Sequence, residues 1–414
     1  MIIGDEEIFL IDHDEYDAKQ MVYVPLRSYL AIAEREIMDK VLFDTNSKEN
    51  TQFFGKLKKL PLLSMEEIIG NLHSAIPELS LAITDNCNLY CVYCHASAGE
   101  DHKQNTMTTE MIDSILTKYF EFIGNRKVVK ISFNGGGEPT YNFKRLVYAV
   151  NKAKSLANQS GAQCIFSMAT NGFYGDAVRQ FIIENFSEIS LSFDGPEFIH
   201  NQHRPTKTGD GSFAMVYATA KYFYNTSLPF AFRATISNIS IQHIEEIIDF
   251  IAAEFPNKSI GLEHMNMFGR AKNSNVVLPP NIDEFSDKIV YLLDYIKGKP
   301  IPNWTVNVSG AITACARDDT PDEFVFGNYD HATNTLTLDE EKISGLRRMV
   351  VTNYTECENC FCKYHCAGDC PDRRLEEKYD CNSIRKIGKH ILQDKLSTSK
   401  VKQHASTISA PHAK

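Results

Sequence analysis

Cys87, Cys91 and Cys94 stand in the segment CNLYCVYCHA, with a C-x3-C-x2-C spacing. Thiolates are the usual protein ligands of iron–sulfur clusters, and a cubane normally takes four of them. Three from one short loop leave one iron without a protein ligand, and an open iron can bind a small molecule. The competing reading is zinc, which in structural sites wants four ligands, typically from two C-x2-C pairs. His95 is adjacent but poorly spaced to be the fourth. The spacing favours iron and sulfide.

A second array follows far downstream. Cys357, Cys360, Cys366 and Cys370 give C-x2-C-x5-C-x3-C, with Cys381 after ten more residues and Cys315 well before. By composition alone this group suits a pair of zinc sites as well as it suits iron clusters. Of the 11 cysteines, Cys164 and Cys315 alone stand apart from the two groups. Clustered cysteines in a non-exported chain point to metal rather than to disulfides. The opening MIIGDEEIFLID has acids where a secretory signal would put a basic end and an apolar core, so a cytoplasmic location is expected. A net charge of −10 speaks against nucleic acid, and no apolar run is long enough for a membrane span.

The elements that must hold these cysteines follow from periodicity. From about residue 78, strand-like runs (79–84, 128–134, 164–170, 189–193, 230–236 and 259–265) alternate with helical patterns (108–123, 142–156, 213–224 and 241–255). Such alternation predicts an α/β fold with a parallel sheet, here a partial (β/α)6 TIM-like barrel over residues 76–300. Chemistry in these sheets gathers at the carboxyl ends of the strands. The cysteine triad, Gly135–Pro139, Asn171–Gly172 and Asp194–Pro196 all fall there. Residues 1–75 read as a small α+β unit, either a cap or a leader-recognition-like element. Its strand-like runs are 7–11 and 21–24, followed by a helical pattern over 30–42 and a polar loop at 46–50. Residues 301–396 read as a Cys-rich C-terminal iron–sulfur domain, and 397–414 as a disordered tail.

With these motifs in place, the sequence resembles the radical S-adenosylmethionine (SAM) superfamily. The triad follows the first barrel strand, and an aromatic, Tyr93, precedes its last cysteine. The second signature is NGGGEPT, residues 134–140. The resemblance implies that a [4Fe–4S] cluster on Cys87, Cys91 and Cys94 binds SAM, with Gly136, Gly137 and Glu138 at its amino group. It also implies that Ser192, Asp194 and Arg204, in SLSFDGPEFIHNQHRP, approach its ribose and carboxylate. Asp194–Gly195–Pro196 is equally good turn chemistry, and Asn171 in ATNG carries the same ambiguity. The implied reaction delivers an electron, from a reductant such as flavodoxin or ferredoxin, into the sulfonium. The 5′-deoxyadenosyl radical so released abstracts hydrogen from substrate; the cofactor carries the hard chemistry and the protein positions it.

The second array resembles the SPASM domain found in radical SAM enzymes that modify peptides and proteins. The resemblance implies one auxiliary [4Fe–4S] cluster on Cys357, Cys360, Cys366 and Cys381. A second would use Cys315 and Cys370, but the cysteine expected five positions after Gly327 is Ala332. That cluster is either absent or completed by an unusual ligand such as Cys362, a carboxylate or His331; alternatively the free cysteines are structural. Anaerobic sulfatase maturases share the layout, and their catalytic acid follows the cysteine that Ala332 replaces. Thr333 stands there, which argues against that reaction, and no catalytic residue is singled out. The expected activity is maturation of a ribosomally made peptide by crosslink, thioether or epimerisation. The alternatives are sulfatase-maturase-like protein oxidation, a small-molecule radical SAM dehydrogenase, or a non-catalytic metal scaffold.

Overall fold

The computed structural model of the chain describes residues 2–3, 6–15, 17–64, 78–100, 105–293, 304–306, 311–313, 325–330, 332–333, 335–339, 341–342, 354–366 and 381–398. The chain forms two compact units. One joins Met1–Ala75 to Ile289–Ile296 and Arg348–Lys414; the other joins Ile76–Lys288 to Lys297–Arg347.

In the first unit β1 (Ile2–Ile3) pairs antiparallel with β2 (Glu6–Glu7). Strands β3 (Phe9–Asp12), β4 (Lys19–Val24) and β5 (Tyr29–Glu34) form an antiparallel sheet in that order. One face packs Val22, Val24, Ala31 and Ala33 against the helices Arg35–Phe43 and Lys48–Leu57. The other sets Phe9, Ile11, Met21 and Tyr23 against Leu392 and Leu396 of the helix Asn382–Thr398. Alternate residues of a strand face opposite sides, so β4 is apolar on both because both sides are covered. Polar ties at the rim join Lys363 to Glu7 and Lys389 to Asp14. The N-terminal strands therefore share a core with the segment that carries the second cysteine array.

Two local expectations are corrected here. The helical pattern over 30–42 begins as a strand, because YLAIAE also fits a period of two and β4 offers it a ladder. The polar stretch 46–50 starts a helix, with the Ser47 hydroxyl accepting from Asn50 N–H at 3.0 Å. Its polarity is that of a solvated first turn; Phe53 and Leu57 supply the buried face. The last helix also runs two residues into the stretch expected as a tail, whose remainder lies outside the described residues.

The second unit holds the parallel sheet: β6 (Glu78–Leu81), β7 (Val128–Phe133), β8 (Gln163–Thr170), β9 (Glu188–Ser192), β10 (Phe230–Ile236) and β11 (Ile260–His264). They lie side by side in chain order, every neighbouring pair parallel. The partial barrel is as expected. The sheet continues past β6 through β12 (Trp304–Val306), parallel to it, and the antiparallel β13 (Ala311–Thr313), β14 (Val325–Asp330) and β15 (Thr335–Leu338).

One face of the barrel strands is large and apolar. Leu81, Ile131, Phe133, Phe166, Met168, Leu191 and Phe232 are buried in one core with the helices. The alternate positions are mixed: Ser80, Ser132, Ser167, Ala169, Ser190 and Ser192 are small, whereas Lys130, Ile165 and Arg233 are not. Parallel strands covered on both sides read as unbroken apolar runs. Here large apolar side chains fill the helix-covered face, while the other carries smaller and polar ones.

Candidate functional site

The cysteine loop leaves β6 and is held on three flanks. Beside the loop after β7, Gly137 N–H donates to Thr84 O (2.7 Å) and Glu138 N–H to Asn86 O (2.8 Å). Near residues 203–207, Val92 N–H donates to His203 O (2.9 Å), Tyr90 N–H to Pro205 O (2.7 Å), and Lys207 Nζ to Gly99 O (2.6 Å). Behind β11, Arg270 N–H donates to Cys94 O (2.9 Å).

Cys87, Cys91 and Cys94 are free thiols in a common apolar cluster with Leu89, Ala98 and Phe173. Burial pushes the Cys87 thiol up, and it pushes Cys91 up to about 11. Two N–H groups aim at the sulfurs: Asn171 Nδ2 at Cys87 Sγ (3.6 Å) and Ala98 N at Cys94 Sγ (3.4 Å). Hydrogen bonds to sulfur are among the levers that set the properties of such clusters. Among the described residues no three His, Cys, Asp or Glu side chains meet to hold a single metal ion. A cubane asks for something different, one thiolate per iron. Three thiols in one cluster, two of them with an N–H donor directed at the sulfur, fit that demand.

The glycine signature shapes a cradle beside them. Gly136 has φ +63°, and a Cβ on Gly137 would lie 1.9 Å from Asn86 O. Only hydrogen fits there, and the backbone of the loops after β6 and β7 runs in contact. Glu138 ties a third strand end to these two. Its carboxylate accepts from Thr140 N (3.1 Å), Thr140 Oγ1 (2.7 Å), Thr170 Oγ1 (2.8 Å) and Asn171 N (2.7 Å). Burial raises its pKa despite these donors. Asn171 also reaches Asn88 Oδ1 (2.7 Å), so it links the loop after β8 to the cysteine loop.

Asp194 lies at the fourth strand end, fully buried, within a polar knot. Arg204 Nε donates to its Oδ2 (3.0 Å), Arg204 Nη2 to its Oδ1 (3.2 Å), and Thr235 N–H to its Oδ1 (3.2 Å). The Tyr93 hydroxyl donates to Oδ2 as well, and His203 Nδ1 lies 3.3 Å from the same oxygen. Burial alone would raise the Asp194 pKa, but the Arg204 guanidinium, with His203, holds it far below the carboxylate range. His200 stays neutral, its pKa lowered to about 3 by burial. Its Nδ1 accepts from Asp194 N–H (3.3 Å), so its Nε2 donates to Ser212 Oγ (3.1 Å), which donates to Arg204 O (2.5 Å). Ser192 ends β9 half-buried, opposite Arg233 in register.

The structure thus brings Tyr93, Asp194 and Arg204 together, and Gly137, Glu138 and Asn171 onto the cysteine loop. His200, His203 and Arg270 are participants that the sequence reading did not single out. The two histidines lay inside the quoted 190–205 stretch; Arg270 carried no local signal.

In the other unit, Cys357, Cys360, Cys366 and Cys381 line one small cleft, together with Cys362 and Arg385. The Cys362 thiol and the Arg385 guanidinium pull Cys360 below the ordinary thiol value. Cys362 also reaches Ile384 O (3.7 Å), and a Cβ on Gly388 would lie 2.4 Å from its sulfur. Cys315, Cys370 and His331 lie outside the described residues. Ala332 and Thr333 are exposed on a turn where both N–H groups donate to Asp330 Oδ1 (2.8 and 3.4 Å). No helix among the described residues is long and apolar enough to cross a membrane.

Residues 81–251 match the radical SAM superfamily. The chain is 26% identical over 180 residues to the cysteine-type anaerobic sulfatase-maturating enzyme of Clostridium perfringens, an overlap of 42% of this chain and 49% of that one. It spans about half the length of that relative. Among solved structures, native anSMEcpe with bound AdoMet superposes with a TM-score of 0.61 at 18% identity, covering 80% of this chain and 99% of that one. Streptococcus suis SuiB bound to its precursor peptide SuiA gives 0.51 at 15% identity, covering 87% and 94%. At these identities the superpositions speak for the fold.

Proposed function

We propose that this chain, whose residues 81–251 are a radical SAM domain, cleaves SAM reductively and uses the radical to mature a ribosomally made peptide. The observation that carries the reading is the three thiols in one apolar cluster, on a loop bonded to the glycine–glutamate element at one end of the sheet. Cys87, Cys91 and Cys94 hold the cluster, and Gly136 and Gly137 let the loop after β7 pack backbone to backbone against the cysteine loop. A [4Fe–4S] cluster bound there supplies, once reduced, the electron that breaks the sulfonium C–S bond. Glu138 fixes the spacing of three strand-end loops, and Asp194 orients Arg204 and Tyr93 beside Cys91. Cys357, Cys360, Cys366 and Cys381 hold one auxiliary cluster. The peptide substrate is supported by the SuiB likeness, a protein solved with its precursor peptide.

The test is anaerobic reconstitution with iron, sulfide, SAM and dithionite. The Cys87/Cys91/Cys94→Ala variant should lose about four irons and all 5′-deoxyadenosine formation while keeping C-terminal iron. Retained cleavage sinks the assignment. Short peptides encoded beside the gene are the substrates to supply, and a mass change in one of them identifies the bond formed.

A second reading, oxidation of a protein cysteine or serine, is favoured by the maturase relative. It needs a catalytic acid near position 333, where an exposed threonine stands. An aldehyde-reactive product from a sulfatase-derived peptide would establish it.

A further inference from the structure

The loop behind β11 carries a cation whose side chain bonds entirely to the cysteine loop. Arg270 Nη1 donates to Cys91 O (2.8 Å), Nη2 to Ala98 O (2.8 Å) and Nε to Glu100 Oε1 (3.0 Å). The guanidinium lies 3.5 Å from the centroid of the Tyr90 ring, and the side chain is 10% exposed. The preceding residue is shaped for the same approach. Gly269 has φ +53°, and a Cβ on it would sit 2.5 Å from His95 O. Residues Tyr90 to Glu100 are therefore gripped from one point by a planar, rigid fork that no other side chain reproduces.

We infer that Arg270 is a positioning residue for the cluster on Cys87, Cys91 and Cys94. It latches the cysteine loop to the end of the sixth parallel strand and fixes a positive charge beside Cys91. The inference rests on the proposed cluster at this site. Two effects follow. The carbonyls of Cys91 and Ala98 are occupied, so the loop is ordered before iron arrives. A reduced cluster carries one more negative charge, so a fixed cation nearby favours it and raises the reduction potential.

Two Arg270 variants separate the effects. The full chain is reconstituted anaerobically, and the cluster of interest is identified as the one whose EPR signal changes when SAM is added. Arg270→Gln should yield that cluster to a chelator faster, with iron affinity down roughly 10–100-fold, the usual cost of losing an outer-shell partner, and shift its potential negative. Arg270→Lys keeps the charge but not the fork, so its potential should stay near wild type while iron is still lost faster. A wild-type potential and chelation rate in Arg270→Gln overturns the inference. Should Arg270→Gln not fold, Glu100→Gln removes the partner charge and leaves the carbonyl bonds. It should move the potential positive with normal iron retention, and no movement overturns the role of the charge. A wild-type chain without a SAM-sensitive signal fails the cluster reading itself, which is a separate outcome.

Discussion

Asp194 and Arg204 form a buried two-point ion pair, with Nε 3.0 Å from Oδ2 and Nη2 3.2 Å from Oδ1. Ten residues apart in sequence, they close the turn and short helix after β9 onto a single carboxylate. Tyr93, from the cysteine loop, donates to the same group. The pair therefore couples the local turn to the cysteine loop.

Removing one partner of a buried pair leaves the other charged and unpaired, which costs about 3–5 kcal/mol. Asp194→Ala should lower the unfolding free energy by that amount in anaerobic guanidinium titration. A change below about 1 kcal/mol would show that water reaches Arg204 and that the knot is not dry.

The pH dependence has a definite sign. The Asp194 pKa is depressed on folding, so its contribution is present above the ordinary carboxylate value and is lost only far into acid. It adds no slope between pH 5 and 8. His200 is also depressed, to about 3 from an ordinary 6.5, because it is buried neutral. Below 6.5 the unfolded chain binds a proton that the folded chain refuses, so acidification destabilises, by about 1.4 kcal/mol per pH unit for one such group. His200→Gln should flatten the stability profile between pH 6.5 and 3; an unchanged slope assigns it to other groups.

Gly137→Ala puts a methyl 1.9 Å from Asn86 O, and backbone has to move. Overpacking of this kind costs about 1–3 kcal/mol or more. The specific expectation is loss of SAM affinity with iron at Cys87, Cys91 and Cys94 retained, read by calorimetry against iron content. Undiminished SAM binding would place the cofactor elsewhere.

In the second array, Cys362 shares the cleft, but its thiol reaches the Ile384 carbonyl and its sulfur fills the space beside Gly388. Cys381→Ser should lose about four irons and Cys362→Ser none. Gly388→Ala should destabilise the unit, and Cys362→Ala in the same chain should restore part of the loss. Iron loss in Cys362→Ser would make it a ligand.

The strands of the partial barrel were legible to within a residue, Phe230–Ile236 to both its ends, save the first, which stops at Leu81 rather than 84. Short loops and breaker residues bracket each run, and burial against helices demands apolar side chains at alternate positions. The YLAIAE segment was not legible as a strand, because alanine and alternating isoleucine satisfy both periods and the pairing with Lys19–Val24 decides between them. Cys87, Cys91 and Cys94 stood out by their spacing, and Gly136 and Gly137 because close backbone approach demands one residue type. Arg270 did not, since its role comes from bonds spanning more than 170 residues of sequence.

The strands around Phe9 and Met21 pack against Leu392 and Leu396, and Glu7 pairs with Lys363, 356 residues later. On a ribosome moving at about 5–20 residues per second, the outer face of that sheet waits on the order of 20–70 s for its cover. Until then an apolar sheet face stands open to solvent and to neighbouring chains. Assembly of that unit is thus timed by translation, and removing either the early strands or the late helix should release the other half as an aggregation-prone fragment.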